Sequence, residues 1–172
     1  LVFSPDSKLL LAGGIVIKLA TLEKGTVIDP GFLNVQSAAA FSGDSSRFAV
    51  ARENGALEIW NASDLKREAT IAEPGRVDEI AFGPDAATVV SIDRTRGAVR
   101  AWDAFYGTES ARLGVTGGAW SAAFTHDGKA LVTGGLDGGL LAFPSPERSA
   151  YGRRLQAWTK GDSIASAKGL SP

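Results

Sequence analysis

The residues able to do chemistry are few in this sequence. The chain of 172 residues has no Cys and a single His, which excludes most nucleophile–base pairs, thiolate metal sites and sites built from several His ligands. That His, His126, lies in a Thr-His-Asp-Gly stretch typical of a turn, where we expect an exposed side chain. We therefore predict that the chain is not an enzyme and that it holds no cofactor and no metal.

Four Asp residues could suggest acid–base catalysis or a cation site. Each lies three positions after a Phe, and the same pairing recurs along the whole chain. A carboxylate kept at one place in every repeat is better explained as the cap of a turn, where it accepts hydrogen bonds from nearby backbone amides. The four segments run from Phe3 to Asp6, from Phe41 to Asp44, from Phe82 to Asp85 and from Phe124 to Asp127.

The spacing of these segments defines an internal repeat. The steps from one Phe to the next are 38, 41 and 42 residues. A second aromatic marker follows in phase, because Trp60 lies 19 positions after Phe41, Trp102 lies 20 after Phe82, and Phe143 lies 19 after Phe124. A period of about 40 to 45 residues is that of a four-stranded propeller blade.

Each repeat can be divided into four strands separated by turns. The third repeat gives VDEIAF, TVVSI, AVRAW and SARLGV, which are short, rich in β-branched residues and bounded by Gly, Pro and Asp. Asn54-Gly55 predicts a two-residue hairpin turn, and Asp137-Gly138 predicts another hairpin. No segment has a sustained helical period, so we expect an all-β chain in which each blade has four antiparallel strands.

These strands resemble the blades of the WD-repeat β-propeller family. The resemblance is carried by LVFSPDSKLLLAGG, ALEIWNASDLKREATI and VRAWDAFYGTESARL, and it covers nearly the whole chain. Trp102-Asp103 is the dipeptide that names the family, and Trp60-Asn61 is a close variant. The resemblance implies blades around a central channel, with the first strand of each blade innermost, and a role as a rigid platform for other proteins.

One feature of the family is missing. Many members have a Gly-His pair before the first strand, and the His joins an Asp, a Ser or Thr and the Trp in a hydrogen-bonded network. Here the matching pairs are Gly75-Arg76, Gly118-Ala119 and Gly161-Asp162. Thr133 and Asp137 preserve two members of the network, but Phe143 replaces the Trp. We therefore expect greater reliance on apolar packing, with Trp60, Trp102 and the four repeated Phe residues in the core.

The resemblance also predicts how the chain is divided. We place the blades at about 1–34, 35–76, 77–118 and 119–163, with the start of a further blade at 164–172. The sequence begins and ends at the same phase of the repeat, and propellers of this family usually close with seven or eight blades. We therefore expect an incomplete ring that is part of a longer protein.

Four residues are candidates for a partner-binding face. In an antiparallel four-stranded blade, the hairpin between the second and third strands emerges at the same end as the connection to the next blade. That end gathers an aromatic residue and several guanidinium groups, which are common at protein interfaces and suit an acidic or aromatic-bearing partner. The alternative is that the Arg residues form a solvated face and that the aromatic residue packs between blades. The candidates are Arg76, Arg94, Arg96 and Trp120.

Charge and hydropathy limit the class of partner. With 18 Lys and Arg against 19 Asp and Glu, the net charge is −1, so no general attraction to nucleic acid is expected. No apolar stretch approaches the roughly 18 residues of a membrane span, and the first residues do not form a signal peptide. The favoured function is a non-catalytic scaffold that binds proteins. The alternatives are a sensor propeller fused to a catalytic domain and an enzymatic propeller.

Overall fold

The repeats fold into four antiparallel sheets, and each sheet has four strands that pair in their order along the chain. The structure is a computed structural model and describes residues 1–12, 14–21, 25–28, 38–84, 86–115 and 118–145, together with a strand at 162–163. The regular elements in these residues are all strands, which confirms the all-β prediction. Within them there is no helix with the length and hydropathy of a membrane span. The predicted start of a further blade at 164–172 lies outside the described residues.

The strands coincide with the apolar runs of each repeat. The first sheet contains β1 (Val2–Phe3), β2 (Leu9–Ala12), β3 (Ile15–Lys18) and β4 (Thr26–Val27). The second contains β5 (Ala39–Phe41), β6 (Arg47–Ala51), β7 (Leu57–Asn61) and β8 (Arg67–Ile71). The third contains β9 (Glu79–Phe82), β10 (Thr88–Asp93), β11 (Ala98–Asp103) and β12 (Glu109–Leu113). The fourth contains β13 (Ala119–Phe124), β14 (Ala130–Gly135), β15 (Leu140–Pro144) and β16 (Asp162–Ser163).

One residue from each of the first three strands of a sheet forms a row across that sheet. The row consists of the repeated Phe, its partner on the second strand, and the residue opposite that partner on the third strand. Such cross-strand neighbours stabilise a sheet. Their side chains lie on one face of the sheet, and the side chains of the residues before and after them lie on the other face. The four rows are Phe3, Leu10 and Ile17; Phe41, Phe48 and Trp60; Phe82, Val89 and Trp102; Phe124, Leu131 and Phe143.

Three apolar cores lie between consecutive sheets. Phe48 belongs to the core between the first and second sheets, Trp102 to the next core, and Phe143 to the core between the third and fourth sheets. In each case the row of one sheet packs against the sheet before it. No core in the described residues joins the fourth sheet to the first, so the described blades form an open arc.

The prediction that all the aromatic markers are core residues is wrong for Phe3. Trp102 is buried, and Phe82 is partly buried against the same core, but Phe3 is 55% exposed. Leu9 and Leu11 of the first sheet face the second sheet, so Phe3 and the rest of its row face the opposite side. Among the described residues no sheet packs on that side, which explains the exposure of Phe3.

Neighbouring sheets meet through backbone at the end that carries the second hairpin of each blade. Gly97 has a φ of +62°, and a Cβ atom there would lie 2.6 Å from the Cα of Gly118, in the connection to the fourth sheet. Gly55, with a φ of +86°, approaches the carbonyl oxygen of Gly75 in the same way. In two consecutive pairs of blades, main-chain atoms thus approach each other directly at one point of this end.

The predicted hairpins are present, but the loop at Asn54-Gly55 is longer than expected. Arg52 donates its backbone N–H to Ala56 and accepts the N–H of Gly55, so the loop has three residues rather than two. A three-residue loop needs the left-handed conformation at its last position, and Gly55 supplies it. Asp137-Gly138 forms an equivalent turn between β14 and β15.

Candidate partner-binding surface

The four residues predicted as a partner face all lie at this same end of the sheets. Arg94 and Arg96 are in the hairpin between β10 and β11, Arg76 is in the connection before β9, and Trp120 is near the start of β13. The antiparallel order of the strands thus brings residues from two connections and one hairpin to one end. We call Trp120, Arg94, Arg96 and Arg76 the Trp120 strip.

Trp120 lies in a β-bulge. The pairing of β13 with β14 shifts between Ala119, which is opposite Gly135, and Ser121, which is opposite Gly134. A bulge interrupts the alternation of a strand and redirects the side chain of the extra residue. The Trp120 side chain is 47% exposed among the described blades.

Arg94 supports the Trp120 side chain from the neighbouring blade. Its guanidinium carbon lies 4.9 Å from the centroid of the Trp120 ring, which is within cation–π range. The same guanidinium donates from Nε to the backbone oxygen of Trp120 at 2.7 Å. Because both contacts cross from the third sheet to the fourth, Arg94 fixes the position of the indole relative to both blades.

Glu79 holds Arg94 in place, although the sequence analysis did not single it out. Its Oε2 accepts a hydrogen bond from Nη2 of Arg94 at 2.7 Å, and its Oε1 accepts one from Ser121 Oγ at 2.8 Å. Glu79 therefore neutralises Arg94 and ties β9 to β13. The available signal was a pair of acidic residues, Asp78 and Glu79, within the strand-like run VDEIAF.

The other two guanidinium groups of the Trp120 strip are also paired with carboxylates. Arg96 Nη1 lies 3.2 Å from Asp93 Oδ2, and Arg76 Nε lies 2.6 Å from Asp78 Oδ1. Burial alone would raise the pKa of Asp93, but hydrogen bonds from Thr95 and Arg96 and the charge of Arg96 hold that pKa below its ordinary value. Each cation of the strip thus has its own anion.

A buried polar network lies behind the strip in the third sheet. The Trp102 indole N–H donates to Ser91 Oγ at 2.9 Å, and the Ser91 hydroxyl donates to Glu73 Oε2 at 2.6 Å. Arg100 Nη1 pairs with the other oxygen of Glu73 at 2.5 Å. Burial raises the pKa of Glu73, whereas Ser91 and the charge of Arg100 act in the opposite direction.

The His-based arrangement of the family does not predict this network, because Glu73 lies outside the positions of that arrangement. Glu73 comes from the connection before the third sheet and fills the role of an acceptor for Ser91. In the second sheet, the Trp60 indole donates to buried Glu58 at 3.2 Å, without an intervening hydroxyl. In the fourth sheet, the Phe143 side chain has no N–H to donate, and the buried Thr133 Oγ1 has no hydrogen-bond partner among the residues that the structure describes.

The repeated Asp residues cap turns at the opposite end of the sheets, as predicted. Asp127 Oδ1 accepts hydrogen bonds from Thr125 Oγ at 2.7 Å and from the backbone N–H of Lys129 at 3.1 Å. The hydrogen bond from Thr125 is the main reason that the pKa of Asp127 is lowered. Asp6 and Asp44 make the corresponding bonds, and Asp85 lies outside the described residues. His126 is exposed in such a turn, as expected.

Two exposed aromatic residues also lie at that opposite end. Phe105 and Tyr106 occupy the turn between β11 and β12, where Asp103 Oδ1 accepts both of their backbone N–H groups. Arg47 of the second sheet places its guanidinium carbon 3.8 Å from the centroid of the Phe105 ring, while Tyr106 is 71% exposed. Across the described ranges, no cluster of three or more His, Asp and Glu residues suited to a metal ion is found.

The sequence was compared with known proteins and with protein-family models. It is 32% identical over 150 residues to Coronin-7 of Rattus norvegicus, a match that covers 78% of this chain and 16% of that protein. It is 29% identical over 102 residues to an uncharacterized WD repeat-containing protein of Synechocystis, covering 56% of this chain and 28% of that protein. The chain therefore spans less than a third of the length of these curated relatives. No protein-family model matches the chain.

Proposed function

Because this chain is a run of β-propeller blades of the WD-repeat family, we propose that it is a non-catalytic module that binds another protein through the Trp120 strip. The single observation that supports the proposal most strongly is the exposed Trp120 side chain in its bulge. A large aromatic residue on a rigid sheet contributes contact area with little loss of conformational entropy on binding, and Trp is enriched among interface residues that dominate affinity.

The support for the Trp120 side chain is itself fixed, which favours a binding role. Arg94 contacts the ring and the backbone oxygen of Trp120, and Glu79 binds Arg94 and Ser121. A side chain held by such partners is already ordered before a ligand arrives. An ordered anchor raises affinity by lowering the entropy lost in the complex.

Recovery of partners from the native host tests this proposal. The chain serves as bait beside Trp120→Ala, Arg96→Glu and Tyr106→Ala variants, and the recovered proteins are quantified by mass spectrometry. Tyr106→Ala is the matched control, because it removes an exposed aromatic ring from the opposite end of the sheets. We expect at least one partner to fall about tenfold with Trp120→Ala and to be retained by Tyr106→Ala.

Equal recovery of partners by the parent and the Trp120→Ala variant would contradict the proposal. In that case the strip is not the binding surface. Thermal unfolding of each bait checks that a lost partner reflects the surface rather than a misfolded bait.

A further inference from the structure

The charges and side chains around Trp120 indicate the chemical class of the partner better than the number of Arg residues does. All three guanidinium groups of the strip are paired, with Glu79, Asp93 and Asp78 as their partners. The three guanidinium groups and their three carboxylates carry no net charge together, so the strip exerts no general electrostatic attraction on an acidic segment. The strip therefore has little free positive charge to offer an acidic segment.

A second large apolar residue lies at the same end of the fourth sheet as Trp120. Ala119, next to Trp120, is paired with Gly135, the last residue of β14, and Leu136 follows Gly135 in the hairpin between β14 and β15. Trp120 is 47% exposed and Leu136 is 71% exposed, so this end of the sheet presents one aromatic and one aliphatic side chain to solvent.

Two polar features complete this patch. The indole N–H of Trp120 has no hydrogen-bond acceptor within the part of the chain that the structure describes. Asp137, next to Leu136, is exposed and uses its Oδ1 to accept the backbone N–H of Gly139. This end of the sheet thus offers a partner one N–H donor, two apolar side chains and one carboxylate.

Resting on the proposed function, we propose that the partner presents an uncharged peptide segment to the Trp120–Leu136 patch. One large aliphatic or aromatic side chain of that segment packs against Trp120 and Leu136, and a neutral acceptor such as a main-chain carbonyl receives the indole N–H. The carboxylate of Asp137 disfavours Asp and Glu at the contact. The sequence predicted an acidic or aromatic-bearing partner segment, whereas this proposal specifies an apolar segment.

Selection from a phage-displayed library of random dodecapeptides, with the immobilised chain as target, tests the inference. We expect the selected peptides to be enriched in Leu, Ile, Phe or Met and not in Asp or Glu. Their affinity should change less than about twofold between 50 and 500 mM NaCl, because screening affects charge pairing and not apolar contact.

Variants of the chain locate the contact. Leu136→Asp should weaken the selected peptides at least about tenfold, since a charge then meets an apolar side chain. Tyr106→Asp is the matched control, because Tyr106 is also 71% exposed but lies in a turn at the opposite end of the sheets. It should leave the affinity within about twofold.

The outcomes separate this inference from the proposed function. Acidic peptides that need Trp120 and weaken steeply with salt would overturn the inference while leaving the strip as the binding surface. A selection that yields no peptide dependent on Trp120 would overturn both. Apolar peptides that are lost with Trp120→Ala and Leu136→Asp but kept by Tyr106→Asp would support both.

Discussion

Ser91 is the residue on which the polar network of the third sheet depends. It accepts the Trp102 indole N–H and donates to Glu73, and all three side chains are buried. Thr133 occupies the corresponding position of the fourth sheet, two residues after the middle member of its row, but its hydroxyl has no partner in the described ranges. The buried hydroxyl of Ser91 thus makes two hydrogen bonds, whereas the buried hydroxyl of Thr133 makes none with a described residue.

Ser91→Ala should destabilise the chain by about 1–3 kcal/mol, because it leaves the Trp102 N–H without its acceptor and Glu73 Oε2 without its donor from Ser91. Thr133→Val, its matched control, keeps the shape of the side chain and removes an unpaired polar atom. It should cost nothing and could add up to about 1 kcal/mol. Chemical denaturation of both variants measures the difference, and equal losses would show that the network does not stabilise the fold.

Residue roles of this kind were only partly predictable from the sequence. The Asp caps could be predicted, because Asp6, Asp44 and Asp127 use only partners within a few positions of themselves. The pairing of Glu73 with Ser91 spans 18 positions, and that of Glu79 with Ser121 spans 42. Such pairs depend on how sheets pack, and a repeat period alone does not identify them.

The row of three side chains is the element that joins one blade to the next. Phe41 and Phe48 lie with ring centroids 5.5 Å apart, and Trp60 stacks on Phe48 at 6.2 Å. The corresponding row of the first sheet, which begins with Phe3, is not covered by a described sheet. Residues that the repeat makes equivalent thus differ in what they contact.

Phe41→Ala should cost about 3–5 kcal/mol, as for other buried aromatic side chains. Phe3→Ala is the matched change in the same position of the repeat, and it should alter the free energy of unfolding by less than about 0.5 kcal/mol. Denaturant melts at low protein concentration compare the two. Losses of similar size would mean that Phe3 is covered in solution.

At this scale the sequence predicted the fold well. The in-phase markers and the turn residues placed the strands, because strand length, turn chemistry and period are all local properties. The bulge at Trp120 was not predicted, since a bulge depends on the register between β13 and β14. Without the bulge, alternation from Ala119 gives no indication that the indole is exposed.

The described blades as a whole form an arc with an uncovered apolar face at each side. Phe3 is exposed on the outer face of the first sheet, and Leu140 is exposed on the outer face of the fourth. In the third sheet the residue equivalent to Leu140 is Val99, which is fully buried against the fourth sheet. Both faces therefore have the composition of an interface between blades.

We expect the chain to associate in a concentration-dependent manner, because uncovered blade faces and strand edges pair with one another. Analytical ultracentrifugation from about 1 to 100 μM measures the average mass, which should rise across this range. Leu140→Lys should lower the mass, whereas Leu136→Lys, at a hairpin rather than on the face, should not. A constant monomer mass in the parent chain contradicts the expectation.

The backbone contacts of Gly97 with Gly118 and of Gly55 with Gly75 bear on how these blades can diverge. A spacing set by main-chain atoms does not depend on the identity of the side chains around it. Exposed hairpin residues outside these contacts, such as Leu136, can then change during evolution while the two backbone contacts are kept. Gene duplication followed by such drift yields a propeller whose blades share a geometry but few residues, and each junction between blades can acquire a different specificity.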